Sequence, residues 1–178
     1  MESRFKSTSG KMALFTVMTA LTVVTNLIMV PMPPPLAQYD LSPVMIYTLG
    51  VLMDPLLSGL TVAAAMGIGV GYKMVTLGFP PVFVVGAMFV RGVEAILISL
   101  LVRWRKSPEA KPITWWEIAA MSIGCVWETI GFLAIDVAIF GPAMAMIDIA
   151  TIVDLVFVPL AVGFVVAIRT RLSIRILT

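Results

Sequence analysis

The chain has 178 residues, 60% of them hydrophobic and only 12% charged, against about 45–50% apolar and about 25% charged in a soluble globular domain. A mean hydropathy of +1.06 describes a compact integral membrane protein with short loops, and a formal net charge of +2 gives no sign of a nucleic-acid partner. With no histidine and a single cysteine, Cys125 in an apolar run, the sequence excludes a Ser-His-Asp triad, an HExxH zinc site, a histidine relay, an intrachain disulfide and a CxxC site.

Residues 1–10 are polar, and Lys11 leads into the apolar run Met12–Val30, which stops at Pro31-Met32-Pro33-Pro34-Pro35. That run is longer than a secretory core of about 7–15 residues and meets a proline wall instead of a small-residue cleavage site, so it is expected to be a retained first span. Residues 31–43 cannot be helical through their prolines and form a structured loop. Ser42 is placed to cap a short segment, Val44–Met53, which Asp54-Pro55 breaks. Pro55–Tyr72 follows with proline at a helix start. Gly78-Phe79-Pro80-Pro81 turns the chain into Val82–Val102. A polar linker, Arg103–Thr114, precedes Trp115–Phe140, and the last span runs from about Ala145 to Ile168.

Val44–Tyr72 can be two short helices or one kinked helix, and charge chooses between them. Ten of the twelve basic residues fall in three places: Arg4, Lys6 and Lys11; Arg103, Arg105, Lys106 and Lys111; and Arg169, Arg171 and Arg175. Cytoplasmic loops collect Lys and Arg, and six spans put all three groups on that side whereas five do not. The expected architecture is therefore an all-α integral membrane protein, a single bundle of six transmembrane helices with both termini cytoplasmic. Trp104, Trp115 and Trp116 belong to the inner headgroup belt, and the loops left outside contain one base, Lys73.

Charges at membrane depth cost about 2.5–3.5 kcal/mol each on insertion scales, so they are functional candidates. Arg91 and Glu94, three apart on one helical face, form either a self-neutralising structural pair or the floor of a pocket. Glu128 has no base nearby in sequence. Asp136 lies two turns further on, and Asp148 and Asp154 begin the last span. With Asp40 they make an acid excess in the outer half that only Lys73 and Arg91 can balance, which suits a ligand bearing a positive charge or an amine. Asp148 has a bland reading as a helix cap, and Asp136 as a solvated interfacial group. Trp127, next to Glu128, could stack on a heteroaromatic ring, although consecutive helical residues diverge by about 100°. Gly67-Ile68-Gly69-Val70-Gly71 lacks the GK[ST] of a phosphate loop and continues Ala63-x3-Gly67-x3-Gly71, a small-residue face for helix packing. Ala13, Thr16 and Ala20 make a similar stripe, which packs inside the bundle or docks another membrane protein.

Together these features resemble the substrate-binding S components of energy-coupling factor (ECF) vitamin transporters. Size, six spans and the first-helix stripe carry the resemblance over most of the chain. So do Tyr39-Asp40-Leu41-Ser42-Pro43, similar to the family's acidic-aromatic loop, and Pro55–Gly59, similar to its Gly-Pro-x-x-Gly turn. Glu128-x-x-Gly131-Phe132 is similar to a Glu-x-x-Gly-Tyr element. Asp54 stands where that turn has glycine, and Thr16-x3-Ala20 where the family has Ala-x3-Ala.

The resemblance implies a substrate-capture subunit with no catalytic residues, no metal site and no bound cofactor, ATP being used by its partners. Those partners are a transmembrane coupling subunit and two cytoplasmic ATPases, in the cell membrane. A water-soluble vitamin or precursor, thiamine-like or pyrimidine-amine by the charge argument, would bind in an outward-facing cavity. Tyr39 and Asp40 would form its lid, Glu128 and Asp154 would bind its polar group, and Trp127, Arg91 and Glu94 would line or brace the site. Ala13, Thr16 and Ala20 would dock the coupling subunit. Two rival readings are a lipid-modifying enzyme using Asp or Glu and a divalent metal, and a scaffold that binds no small molecule. An α-helical pitch sets Asp148 and Asp154 about 240° apart, which disfavours the enzyme.

Overall fold

The structure, a computed structural model, describes residues 8–30, 39–105, 112–142 and 146–172. The polar start, most of the proline-rich loop, the linker residues 106–111, the connection 143–145 and the basic tail with Arg175 lie outside the described residues, as does the side chain of Asp148. The elements are α1 (Thr8–Leu27), a small hairpin of β1 (Met29–Val30) and β2 (Tyr39–Asp40), α2 (Ser42–Leu52), α3 (Pro55–Leu77), α4 (Pro81–Trp104), α5 (Trp115–Phe140), a 3-10 run (Met146–Phe157) and α6 (Val158–Leu172). Met29 and Val30, expected at the end of the first helix, instead pair antiparallel with Asp40 and Tyr39.

Among the described residues, five segments are long and apolar enough to cross a membrane: α1, α3, α4, α5 and the continuous stretch Ile149–Arg171. The expected sixth span, α2, has only 11 residues, about 16 Å at 1.5 Å per residue and half of a ~30 Å hydrocarbon layer. Every one of its residues is buried, as expected of a helix apolar all round. Ile46, Leu49 and Met53 join one apolar cluster with α1, α3 and α4. Tyr47 and Val51 join a second with α4, α5 and α6. α2 is thus the central pillar between two half-cores. It still carries the chain across the bundle, because the Met53 carbonyl accepts from Ser99 Oγ at 2.7 Å, one turn before Arg103.

Lys11, Arg103, Arg105, Arg169 and Arg171 consequently share one end of the bundle, here the basic end. Arg169 pairs with Glu117 at 2.7 Å and Arg103 with Asp54 at 3.9 Å. Arg105 lies over the Trp115 and Trp116 rings at 5.4 and 5.7 Å, and Trp104 stacks edge-on against Trp116. Thr114 and Glu117 form a capping box that starts α5 there.

Outward faces are apolar and some inward ones polar, the reverse of a soluble helix. α1 buries Thr19, Thr22 and Asn26 and exposes Met12, Val17, Leu21 and Val24. Ala13, Thr16 and Ala20 are exposed, so the first-helix stripe does not pack inside the bundle. On α3 the small-residue seam is displaced by one turn: Gly59, Ala63 and Gly67 face Ile96, Gly92 and Met88 of α4, while Gly71 meets open space. Cys125 is a buried free thiol in the apolar core.

Ile98 fills two notches. A Cβ on Gly50 would lie 2.8 Å from its Cβ, and one on Gly124 would lie 2.5 Å from its Cδ1. Gly50→Ala is therefore expected to cost about 1–3 kcal/mol in thermal unfolding in mild detergent. Gly71→Ala is expected to stay within about 0.5 kcal/mol of wild type or to gain slightly.

Candidate functional site

The end opposite the basic one carries the hairpin, and beneath it a polar cluster runs down to mid-bundle. It starts at Asp40, which the β1–β2 pairing holds at the mouth of α2. Oδ1 accepts from the Ser42 backbone N–H at 2.9 Å and from Ser42 Oγ, and Arg91 Nη1 lies 3.5 Å away. Oδ2 accepts from Asn26 Nδ2 of α1 and from Lys73 Nζ of α3, both at 2.9 Å. Both oxygens are thus engaged, and Asp40 is 6% exposed. Burial by itself raises its carboxyl, but the Arg91 and Lys73 charges with the Ser42 hydroxyl outweigh that and hold it below the usual range. The expected lid residue is a clasp that ties the hairpin to α1, α3 and α4, and its carboxylate is already occupied by protein donors. Ser42, expected as a helix cap, sits one residue inside the helix and hydrogen-bonds with Asp40 and Arg91 instead. Lys73, expected in an external loop, lies in α3 and is 5% exposed.

Arg91 is the hub. Its Nε donates to Glu128 Oε1 at 2.8 Å, its Nη1 donates to Ser42 Oγ, and its guanidinium lies 5.9 Å from the Phe132 ring centre. The expected structural pair of Arg91 with Glu94 is therefore replaced by Arg91 with Glu128 and Asp40. The physical reason is reach: a long guanidinium crosses to neighbouring helices, and partners there satisfy several of its donors. The element Glu128-x-x-Gly131-Phe132 works as a unit against α4. Glu128 takes the Arg91 charge, and Phe132 covers that charge. A Cβ on Gly131 would sit 2.8 Å from Val90 Cγ1, so glycine permits the close approach. Trp127 points elsewhere than its neighbour, its indole N–H donating to the Val90 carbonyl at 3.1 Å, so it braces α5 on α4.

Two acids remain. Glu94 is fully buried and neither of its carboxyl oxygens has a hydrogen-bond partner. Its Cγ lies against Gly124, one turn from Glu128. Asp154, 2% exposed, is the second buried acid. Asp154 Oδ1 and Glu128 Oε2 receive no hydrogen bond from the protein. The Tyr47 hydroxyl approaches the Asp154 carbonyl at 3.5 Å.

Asp154 reaches this position because its segment is 3-10: with three residues per turn, Thr151, Asp154 and Phe157 share one face. Thr151 meets Thr129 of α5 at 2.9 Å. The divergence expected of Asp148 and Asp154 assumed an α-helical pitch, whereas this run is 3-10; the Asp148 side chain itself lies outside the described residues. Asp136 is half-buried further along α5.

Of the expected ligand residues, Asp40, Arg91, Glu94, Glu128 and Asp154 come together, Tyr39 is buried beside Asp40, and Trp127 is committed to Val90. Asn26, Ser42, Tyr47 and Lys73 complete the cluster and were not singled out as site residues from sequence. Asn26 left one signal, a lone amide in an apolar span, and Lys73 another, the single base in the loops expected outside. Among the described residues, no three His, Cys, Asp or Glu side chains are placed to hold a metal ion. No family model, curated protein or solved structure matches the chain.

Proposed function

We propose that this chain is the substrate-capture subunit of an ECF-type ATP-driven importer. It sits in the cell membrane with both termini and the basic end cytoplasmic. It binds a water-soluble vitamin or precursor bearing an amine or other cationic group from the hairpin end. The observation that carries this reading is Glu94, a fully buried carboxyl with no donor on either oxygen, together with a second buried acid, Asp154, that has no ion-pair partner among the described residues. A ligand N–H cation supplies what this corner lacks, both donors and positive charge. Glu94 and Asp154 bind that group. Glu128, held by Arg91, shapes the pocket, and Asp40 with Tyr39 keeps the hairpin closed over it.

The chain itself hydrolyses no ATP. A transmembrane coupling subunit docks on the exposed Ala13, Thr16 and Ala20 face of α1, with two cytoplasmic ATPases below, and lipid covers the remaining apolar surface. Native mass spectrometry of the protein from mild detergent tests the reading. A stoichiometric small ligand is expected in wild type and is lost in Glu94→Gln, with helix content unchanged. Repeated absence of any ligand, together with no co-purifying ATPase, overturns it.

A further inference from the structure

The charges in the cluster do not balance. Lys73 is matched by Asp40 and Arg91 by Glu128, which leaves Glu94 and Asp154 with no cation within ion-pair distance among the described residues. An uncompensated carboxylate in a dry interior costs several kcal/mol even after relaxation. The groups facing this corner come from every packed element. They are Asp40 of the hairpin, Tyr47 of α2, Lys73 of α3, Arg91 and Glu94 of α4, Cys125 and Glu128 of α5, and Asp154 of the 3-10 run. None is a further base. A buried water could donate a hydrogen bond but could not cancel a charge.

The two acids left over are both buried. A buried carboxyl without a cation escapes the penalty on its charge by carrying a proton. Glu128 accepts from Arg91 Nε and is neutralised by that pair, whereas Asp154 Oδ1 has no donor. Glu94 is fully buried with both oxygens unpartnered. It is neutral when it carries its own proton.

We propose that Glu94 and Asp154 are a proton-binding site in the core of the bundle. The ligand is the proton itself, taken from water at the hairpin end. The site exists whether or not the chain captures a solute. If it does, an entering cation replaces the protons as the neutralising charge.

Infrared spectroscopy of the full chain in lipid nanodiscs tests this. At neutral pH a protonated-carboxyl C=O band that shifts in D2O is expected, although the carboxylates exposed to water are ionised. Aspartate labelled with 13C at the side-chain carboxyl should move one component of the band, Asp154, with no substitution made. Glu94→Gln should remove the other. Absence of the band at neutral pH overturns the proposal without any variant. So does a band that neither aspartate labelling, Glu94→Gln nor Asp154→Asn alters. A chain that shows the band yet never yields a ligand in native mass spectrometry retains this site and loses the capture reading.

Discussion

Arg91→Met should lower stability by about 3–5 kcal/mol, the loss expected when one partner of a buried pair is removed and the other left charged. Arg91 is the ion-pair partner of Glu128, which is fully buried, and it lies 3.5 Å from Asp40. Methionine preserves apolar volume, so the loss reports charge and hydrogen bonding, not a cavity. Chemical unfolding in mild detergent measures it. Arg91→Met combined with Glu128→Gln should recover a large part of the loss, because the double variant leaves no bare Glu128 charge. A single variant as stable as wild type would show that Arg91 is not the hub. Arg91→Lys should fall between, since an ammonium is a point charge and cannot span Glu128, Ser42 and Asp40 as the planar guanidinium does.

Asp40→Ala should open the hairpin. It leaves Lys73 and Arg91 without their shared carboxylate and frees the Asn26 amide and the Ser42 N–H. The expected cost is again about 3–5 kcal/mol, with faster hydrogen exchange at the Leu41 and Ser42 amides. Acid should act in the same direction. Asp40 has a folded-state carboxyl held below its ordinary value, so its contribution is fully present above the unfolded value of about 3.9. It is lost as pH falls through the folded value. Wild type should therefore loosen at the hairpin below about pH 4, and Asp40→Asn should be largely insensitive over that window. Equal acid sensitivity in the two proteins would assign the effect to another carboxyl. Loss of a ligand in an Asp40 variant would then report a failed clasp, because Asp40 has no acceptor left to offer.

Much of this fold was legible because a membrane simplifies the problem. A run of about 20 apolar residues must be helical to satisfy its backbone in lipid. Asp54-Pro55 and Gly78 through Pro81 then cut the chain close to where α3 and α4 begin. Helix hydrophobicity does not report which segment is central, so α2, expected as one span among six, emerged as a short pillar buried on every side. Nor does it report pitch, and the 3-10 run changed which residues share a face with Asp154. The short strand at Met29–Val30 was hidden because its partner, Tyr39–Asp40, lies across the proline-rich loop.

The site divides along the same line. Sequence alone determined which residues were expensive: a handful of acids and two bases, Lys73 and Arg91, in the half of the chain away from the basic clusters. That follows from composition, because a charge at membrane depth is costly unless it is paired or neutralised. Only the tertiary structure decided who pairs with whom. Arg91 ignores Glu94 three residues away and reaches across to Glu128 and Asp40, and Lys73 folds in to close the clasp. Pairing between helices depends on their rotation and separation, which small residues such as Gly59, Gly50 and Gly131 set through packing. The acids left over, Glu94 and Asp154, could be recognised only after the others had found their partners.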